Sequence, residues 1–177
     1  MIHNLKSVSI AMLMLAISGC SALSFPHYLG EKQLQPQEFG AIDPQQLSVK
    51  LILEDSARLA VDTTWLTVNY AQGEHTQSTA LSLQLVQSSS LAAEQGWILV
   101  MPARTEYVLS LTDASQQQLQ LMQQKANENL TGSFQVALNT HVDLVDKKAS
   151  QACMQTYLRL DTQAEYQPLQ KSQVVQF

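Results

Sequence analysis

His141 and Asp143 are the two side chains of this 177-residue chain whose types and spacing are best suited to binding a ligand or a metal ion. They lie two residues apart in a segment of alternating apolar residues, so a strand would place both on one face, about 7 Å apart along the backbone. A metal site needs at least a third ligand, for which His75 or Asp146 would have to converge on the pair. We favour the simpler interpretation, two polar residues on a solvated strand face.

The common catalytic motifs are absent from the sequence around this pair and elsewhere. There is no G-x-S-x-G elbow, no Walker phosphate loop, no H-E-x-x-H helix and no pair of cysteines at metal-binding spacing. Each of these motifs holds a nucleophile, a phosphate or a zinc ion in a fixed geometry. Their absence argues against the commonest enzyme classes, and we expect neither a cofactor nor a metal.

The first nineteen residues have the pattern of a cleavable export signal. A weakly positive start containing Lys6 precedes an apolar run at residues 8–17. A helix that spans a bilayer needs about 20 apolar residues, so this run of about ten is too short for a permanent anchor.

The signal ends in Ile17-Ser18-Gly19-Cys20. This motif resembles the lipobox of bacterial lipoproteins, in which an aliphatic residue and two small residues precede a cysteine that becomes lipidated. The resemblance implies cleavage between Gly19 and Cys20 and acyl chains on Cys20. Because burial stabilises by about 0.8 kcal/mol per methylene, several chains make an effectively permanent anchor. Ser21 follows the cysteine, which in this family favours the outer membrane, facing the periplasm.

The charge of the chain limits its partners. It contains 15 acidic and 10 basic residues and no basic cluster larger than Lys147-Lys148. We therefore expect no nucleic-acid partner, and we expect the acyl chains alone to hold the protein at the membrane.

We predict three regions in the chain: the signal peptide (1–19), the lipidated cysteine with a flexible tether (20–46), and one globular domain (47–177). The tether is polar and contains three of the five prolines. The alternative is that its four large apolar residues dock part of it on the domain; these are Phe25, Tyr28, Leu29 and Phe39.

Apolar residues at every second position predict strands through most of the domain. The apolar parity changes within residues 58–70, which predicts a bulge near Thr63-Thr64. Gln72-Gly73-Glu74-His75 predicts a hairpin turn, and the apolar run at residues 97–101 predicts a strand covered on both faces. Further strands are predicted at 47–53, 81–85, 107–111, 134–144 and 152–160, and residues 174–177 either add a closing strand or dock as a tail.

Residues 113–130 instead predict an amphipathic helix. Asp113 stands three residues before Gln116, as in a capping box, and Gly132 follows the end. Its predicted solvent face is rich in glutamine, which suits either simple solvation or a partner. That face comprises Gln116, Gln117, Gln120, Gln123 and Gln124.

Cys153 is the second of two cysteines. If Cys20 carries lipid, Cys153 has no intramolecular partner, so the fold cannot depend on a disulfide. Strand parity places it outward at the start of a strand, but a buried and inert thiol is the interpretation that we favour.

These patterns predict a mainly β, antiparallel, sandwich-like domain with one inserted amphipathic helix; an α+β arrangement is the alternative. We expect a non-enzymatic accessory or assembly factor that binds other envelope proteins. Two alternatives stay open: an anchored enzyme that acts on a periplasmic polymer through His141, Asp143 and Asp146, and a binder of small hydrophobic molecules.

Overall fold

The computed structural model describes residues 27–95, 100–128, 132–146, 148–161 and 163–177. The mainly antiparallel β fold predicted from the sequence is confirmed. In chain order the elements are β1 (His27–Leu34), α1 (Pro36–Gly40), β2 (Ser48–Glu54), β3 (Ala57–Gln72), β4 (His75–Leu91), β5 (Glu94–Gln95), β6 (Val100–Met101), β7 (Arg104–Leu111), α2 (Asp113–Glu128), β8 (Ser133–Leu144), β9 (Gln151–Arg159) and β10 (Gln167–Gln176).

Eight strands form one antiparallel sheet in the order β1-β8-β3-β4-β7-β2-β9-β10. β4 belongs to both halves of this sheet, because residues 75–82 pair with β3 and residues 83–91 pair with β7. The halves face each other as in the predicted sandwich. The edge strands β1 and β10 also approach each other, and Lys32 donates to the side chain of Gln167 across the gap. The sheet is therefore nearly closed and barrel-like.

The core lies between the two halves. Alternation along each strand sends one set of side chains inward, and burying a large aliphatic side chain stabilises by about 1.5–3 kcal/mol. The fully or almost fully buried residues include Val49, Leu51, Leu53, Leu66, Val68, Leu81, Leu109, Leu111, Val136, Leu138, Met154 and Leu158.

Residues 27–46 belong to the folded domain, so the predicted flexible tether is wrong for this segment. β1 pairs antiparallel with β8, from His27 opposite Thr140 to Leu34 opposite Phe134. Leu34 is buried, and the segment is held because its apolar side chains add to the core. Residues 20–26 lie outside the described part of the chain.

Helix α1 explains one of the prolines that suggested a tether. Pro36 occupies the first helical turn, where its missing N–H costs no hydrogen bond. The backbone N–H of Gln35 donates to the Glu38 carboxylate at 2.8 Å, and Phe39 is completely buried. Proline here starts a short helix rather than extending a linker.

The predicted inserted helix is confirmed as α2, which begins at Asp113 as predicted, but its capping residue differs from the prediction. Thr112 rather than Asp113 caps it: the backbone N–H of Ser115 donates to the Thr112 hydroxyl at 3.3 Å. With Thr112 as the cap, Ser115 rather than Gln116 is the third helical residue, so the predicted capping box does not form; the Gln116 side-chain amide instead donates to the Leu111 carbonyl at 3.1 Å.

Gln123 is a second correction, because it is buried and not part of the solvent face of α2. Its side-chain amide donates to the carbonyls of Phe39 at 2.9 Å and Ile42 at 2.8 Å. Carbonyls at the end of a helix lack donors within that helix, and Gln123 supplies donors for α1.

The two ends of the sheet are built differently. At the helical end, α1 and α2 cover the start of β8, where the Phe134 ring stacks on Phe39 at 3.9 Å and on Tyr70 at 4.8 Å between centroids. The turn end carries the β2–β3 turn, residues 145–146 and 148–150, and Phe177. There the N–H of Val145 donates to the Ser56 carbonyl at 2.9 Å.

The predicted bulge and hairpin in the long β3–β4 pair are both confirmed. The register of β3 against β8 shifts between Ala60 and Trp65, and the buried Thr64 hydroxyl donates to the Ala60 carbonyl at 2.9 Å. In the hairpin, Gly73 has a φ of 61° and Glu74 a negative φ, which is typical of a type II′ turn.

The predicted strand at residues 97–101 is described only in part. Residues 97–99 lie outside the described part of the chain, and Val100–Met101 forms β6, which pairs with β5 in a separate two-stranded ribbon.

Candidate functional site

His141 and Asp143 lie on one outward face of β8, as predicted. Their cross-strand neighbours on β3 are Ala60 and Arg58. Asp143 is exposed, whereas His141 is half-buried, with its ring centroid 6.5 Å from that of Trp65. The pair stands on the outside of the sheet and not in a cleft.

The residues named as third ligands do not complete this pair. His75 is in the hairpin beyond the other end of β8, and the eight residues from His141 to Ser133 separate the two histidines by about 27 Å. Asp146 is at the same end as Asp143, but its carboxylate accepts the backbone N–H of Lys148 at 2.9 Å. Among the described residues, no group of three or more His, Cys, Asp or Glu side chains could hold a metal ion.

Cys153 is half-buried beside Glu54. The backbone N–H of Cys153 donates to the Glu54 carboxylate at 2.9 Å. Burial raises the pKa of the Cys153 thiol, and the charge of Glu54 and a hydrogen bond to its carboxylate raise it further. The thiolate is the reactive form of cysteine, so burial and Glu54 together lower the fraction of reactive thiolate at a given pH.

A pocket of about 190 Å³ opens next to Cys153 on the outer face of the turn end. Arg104 lines it and is held 3.7 Å from the Glu94 carboxylate. The remaining lining is mixed in polarity, without a second cation; it comprises Ile52, Glu54, Met101, Pro102 and Gln155.

A second pocket of about 190 Å³ lies at the helical end, between α2 and the β3–β4 hairpin. Its floor is aromatic, from Tyr70 and Phe134, and α2 contributes Met122 and Lys125. Two amides, Gln72 and Gln77, and Ala126 complete the lining. Neither of these two pockets includes His141 or Asp143.

The exposed face of α2 continues outward from this second pocket. Leu121 is 58% exposed there. Its helix neighbours at spacings of three and four are Gln117, Gln118, Gln124 and Lys125, all exposed. Of the glutamines predicted to face solvent, Gln117, Gln120 and Gln124 are exposed, and they lie around Leu121.

A cationic and aromatic cluster occupies the outer face of β2 and β9. The Lys50 ammonium is 4.6 Å from the ring centroid of Tyr166, and the Arg159 guanidinium is 4.8 Å from the same ring. Arg159 also donates to the Ser48 hydroxyl at 3.1 Å, and Lys50 is 3.9 Å from the Glu106 carboxylate. These groups satisfy one another, so the cluster stabilises the sheet surface.

The sequence pattern did not identify either pocket or this cluster. Strand parity identified Lys50 and Arg159 as outward positions, but it did not give the strand order that makes β2 and β9 neighbours. The pocket under α2 likewise requires knowing that the helix returns to the β3–β4 hairpin.

Gly19 and Cys20, the predicted cleavage and lipidation residues, lie outside the described part of the chain. Neither α1 nor α2, the helices of the described part, is long and apolar enough to cross a bilayer.

Comparison with known proteins gives no match: no family model, no curated protein and no solved structure is similar to this chain. The function has to be inferred from the chain's own residues.

Proposed function

We propose that the mature chain is a lipid-anchored protein on the periplasmic face of the bacterial outer membrane, where it binds other envelope proteins and catalyses no reaction. The observation that carries the proposal is the motif Ile17-Ser18-Gly19-Cys20 behind a short apolar run. Acyl chains on Cys20 would localise the domain permanently, and Ser21 favours the outer membrane.

The surface that best supports partner binding is the exposed face of α2. An exposed leucine surrounded by three uncharged amides and one lysine offers apolar contact area together with hydrogen-bond donors and acceptors, and few charges would have to be desolvated. Lys125 connects this face to the pocket at the helical end, because the same side chain lines that pocket.

The competing interpretation as an enzyme gains no support from the site geometry. His141 and Asp143 face outward, and Asp146 already accepts a backbone hydrogen bond. Catalysis by a histidine and two carboxylates would need them to converge around one reacting atom.

The anchor is tested by expressing the full chain in a Gram-negative host and measuring the intact mass of the membrane fraction. We expect a chain that starts at Cys20 and carries acyl groups, released from membranes only by detergent. Cys20→Ala should abolish acylation, whereas Cys153→Ala, the matched control, should leave it unchanged. A wild-type chain that keeps its first nineteen residues or washes off membranes without detergent would overturn the proposal.

Partner binding is tested by photo-crosslinking in intact cells. A photoreactive residue at Gln120 or Gln124, on the exposed face of α2, should form a reproducible adduct with an envelope protein that mass spectrometry identifies. The same residue at Ser88, an exposed position of β4, is the control and should not form that adduct. No reproducible adduct from α2 would contradict a binding role for this face.

A further inference from the structure

We propose that the domain stands with its turn end on the membrane surface, so that Val145 and Phe177 contact the lipid interface and the helical end points into the periplasm. This inference rests on the proposed lipidation of Cys20. It adds an orientation, which determines which surface meets lipid and which is free for partners.

The connection between anchor and domain is short. The structure describes β1 from His27, so only residues 21–26 separate the lipidated cysteine from the sheet. Seven Cα-to-Cα steps span at most about 25 Å. The domain therefore cannot stand far above the bilayer, as a tether reaching to residue 46 would have allowed.

The direction of β1 selects one end of the sheet. β1 runs antiparallel to β8, and His27 is opposite Thr140, so the chain comes into β1 from the side of Leu144 and the turn end. The four residues from Thr140 to Leu144 cover about 14 Å along the strand. A fully extended connection that runs along the sheet to the turn end would then place the anchor about 10 Å beyond that end.

The helical end is out of reach by comparison. The seven residues from Thr140 back to Ser133 cover about 24 Å, which would use almost the whole connection in the reverse direction, alongside β1. α1 and α2 lie beyond that point and add further distance. An anchor in the bilayer therefore cannot bring the helical end onto the membrane.

The side chains at the turn end suit an interfacial position. Val145 is 52% exposed and Phe177 is 45% exposed, and Val174 on the adjoining outer face of β10 is also exposed. Charges of both signs accompany them, among them Asp143, Asp146, Arg58 and Lys148, all exposed. Without a basic excess, attraction to anionic lipid adds little, and the anchor together with shallow apolar contact maintains the orientation.

The orientation is tested on the acylated full-length mature protein in vesicles of phosphatidylethanolamine and phosphatidylglycerol. A fluorophore is attached to a single introduced cysteine in a Cys153→Ser background, and lipids with nitroxide-labelled head groups quench it. Ser150→Cys reports on the turn end, and Glu74→Cys, in the β3–β4 hairpin, is the matched control at the helical end. These ends are about 37 Å apart along β8, so we expect quenching at least about threefold greater at Ser150.

Vesicle flotation, measured on the same samples, separates this inference from the proposed function. Flotation with equal quenching at both positions, or with stronger quenching at Glu74, overturns the orientation and leaves the anchor standing. Failure to float overturns both. Two variants sharpen the result: ten Gly/Ser residues inserted after Ser21 should abolish the difference in quenching, and Val145→Asp should weaken it, whereas Leu121→Asp at the helical end should not.

Discussion

The helical end and the turn end of this sheet are closed by different interactions. At the helical end, buried aromatic rings and a buried amide join segments that are distant in sequence: Phe39 stacks on Phe134, and Gln123 donates to the carbonyls of Phe39 in α1 and Ile42 just after it. At the turn end, main-chain hydrogen bonds join neighbouring turns and leave Val145 and Phe177 exposed. Side-chain burial thus stabilises one end, and the other keeps apolar side chains available for contact.

Phe39→Ala should cause the largest loss of stability and so test the contrast between the two ends most strongly. Phe39 is completely buried, and truncation of a buried phenylalanine costs about 3–5 kcal/mol of unfolding free energy. Urea unfolding followed by circular dichroism measures the change. The control is Phe177→Ala at the turn end, where an exposed ring should cost less than about 0.5 kcal/mol. Equal losses at the two ends would show that the helical end has no special role in stability.

Gln123→Ala should have an intermediate effect. Removing its amide leaves the Phe39 and Ile42 carbonyls without this donor, which costs about 1–3 kcal/mol per buried unsatisfied group. The same unfolding measurement applies, with Gln124→Ala, an exposed neighbour on α2, as the control. A loss no greater than that of Gln124→Ala would contradict the assignment of Gln123 as the connection between α1 and α2.

Glu54→Gln should have the smallest effect on stability but a clear effect on chemistry at the turn end. Removing the negative charge lowers the pKa of Cys153 from its raised value, so more thiolate is present at a given pH. In a Cys20→Ala chain, alkylation by iodoacetamide at pH 8 should accelerate about threefold. In the parent, the pH midpoint of alkylation should lie above that of a free cysteine, about 8.5, and in Glu54→Gln it should move down.

Glu106→Gln is the control for this measurement, because Glu106 faces Lys50 and does not contribute to the raised pKa of Cys153. An unchanged midpoint in Glu54→Gln, or an equal shift in Glu106→Gln, would show that Glu54 does not control the thiol.

The sequence predicted those elements whose signals are local. Side-chain alternation is set by backbone geometry within one strand, so Leu51 and Leu138 were identifiable as inward residues without knowing their partners. The parity change near Thr63-Thr64 and the glycine in the β3–β4 turn are equally local, and the structure contains both the bulge and the hairpin.

Apart from the cap of α2, the predictions that failed involve contacts between distant segments. Phe39 was in a proline-interrupted stretch that suggested a tether, and only the position of Phe134 gives it a partner. A polar side chain on a helix is normally predicted to face solvent. Gln123 is buried instead because its amide donates to the carbonyls of Phe39 and Ile42. The sequence did not show how far apart the two candidate ligands His75 and His141 are; in the structure they lie near opposite ends of β8.

The amino-acid sequence by itself contains the motif at residues 17–20 from which lipidation is proposed, and it determined the alternation that makes the domain mainly β, because both depend on residue types at short spacings. Tertiary structure decided the strand order, the membership of residues 27–46 in the domain and the end of the sheet from which β1 begins. Those features depend on which distant segments bury one another's apolar and polar groups, and short-range patterns carry no information on that choice.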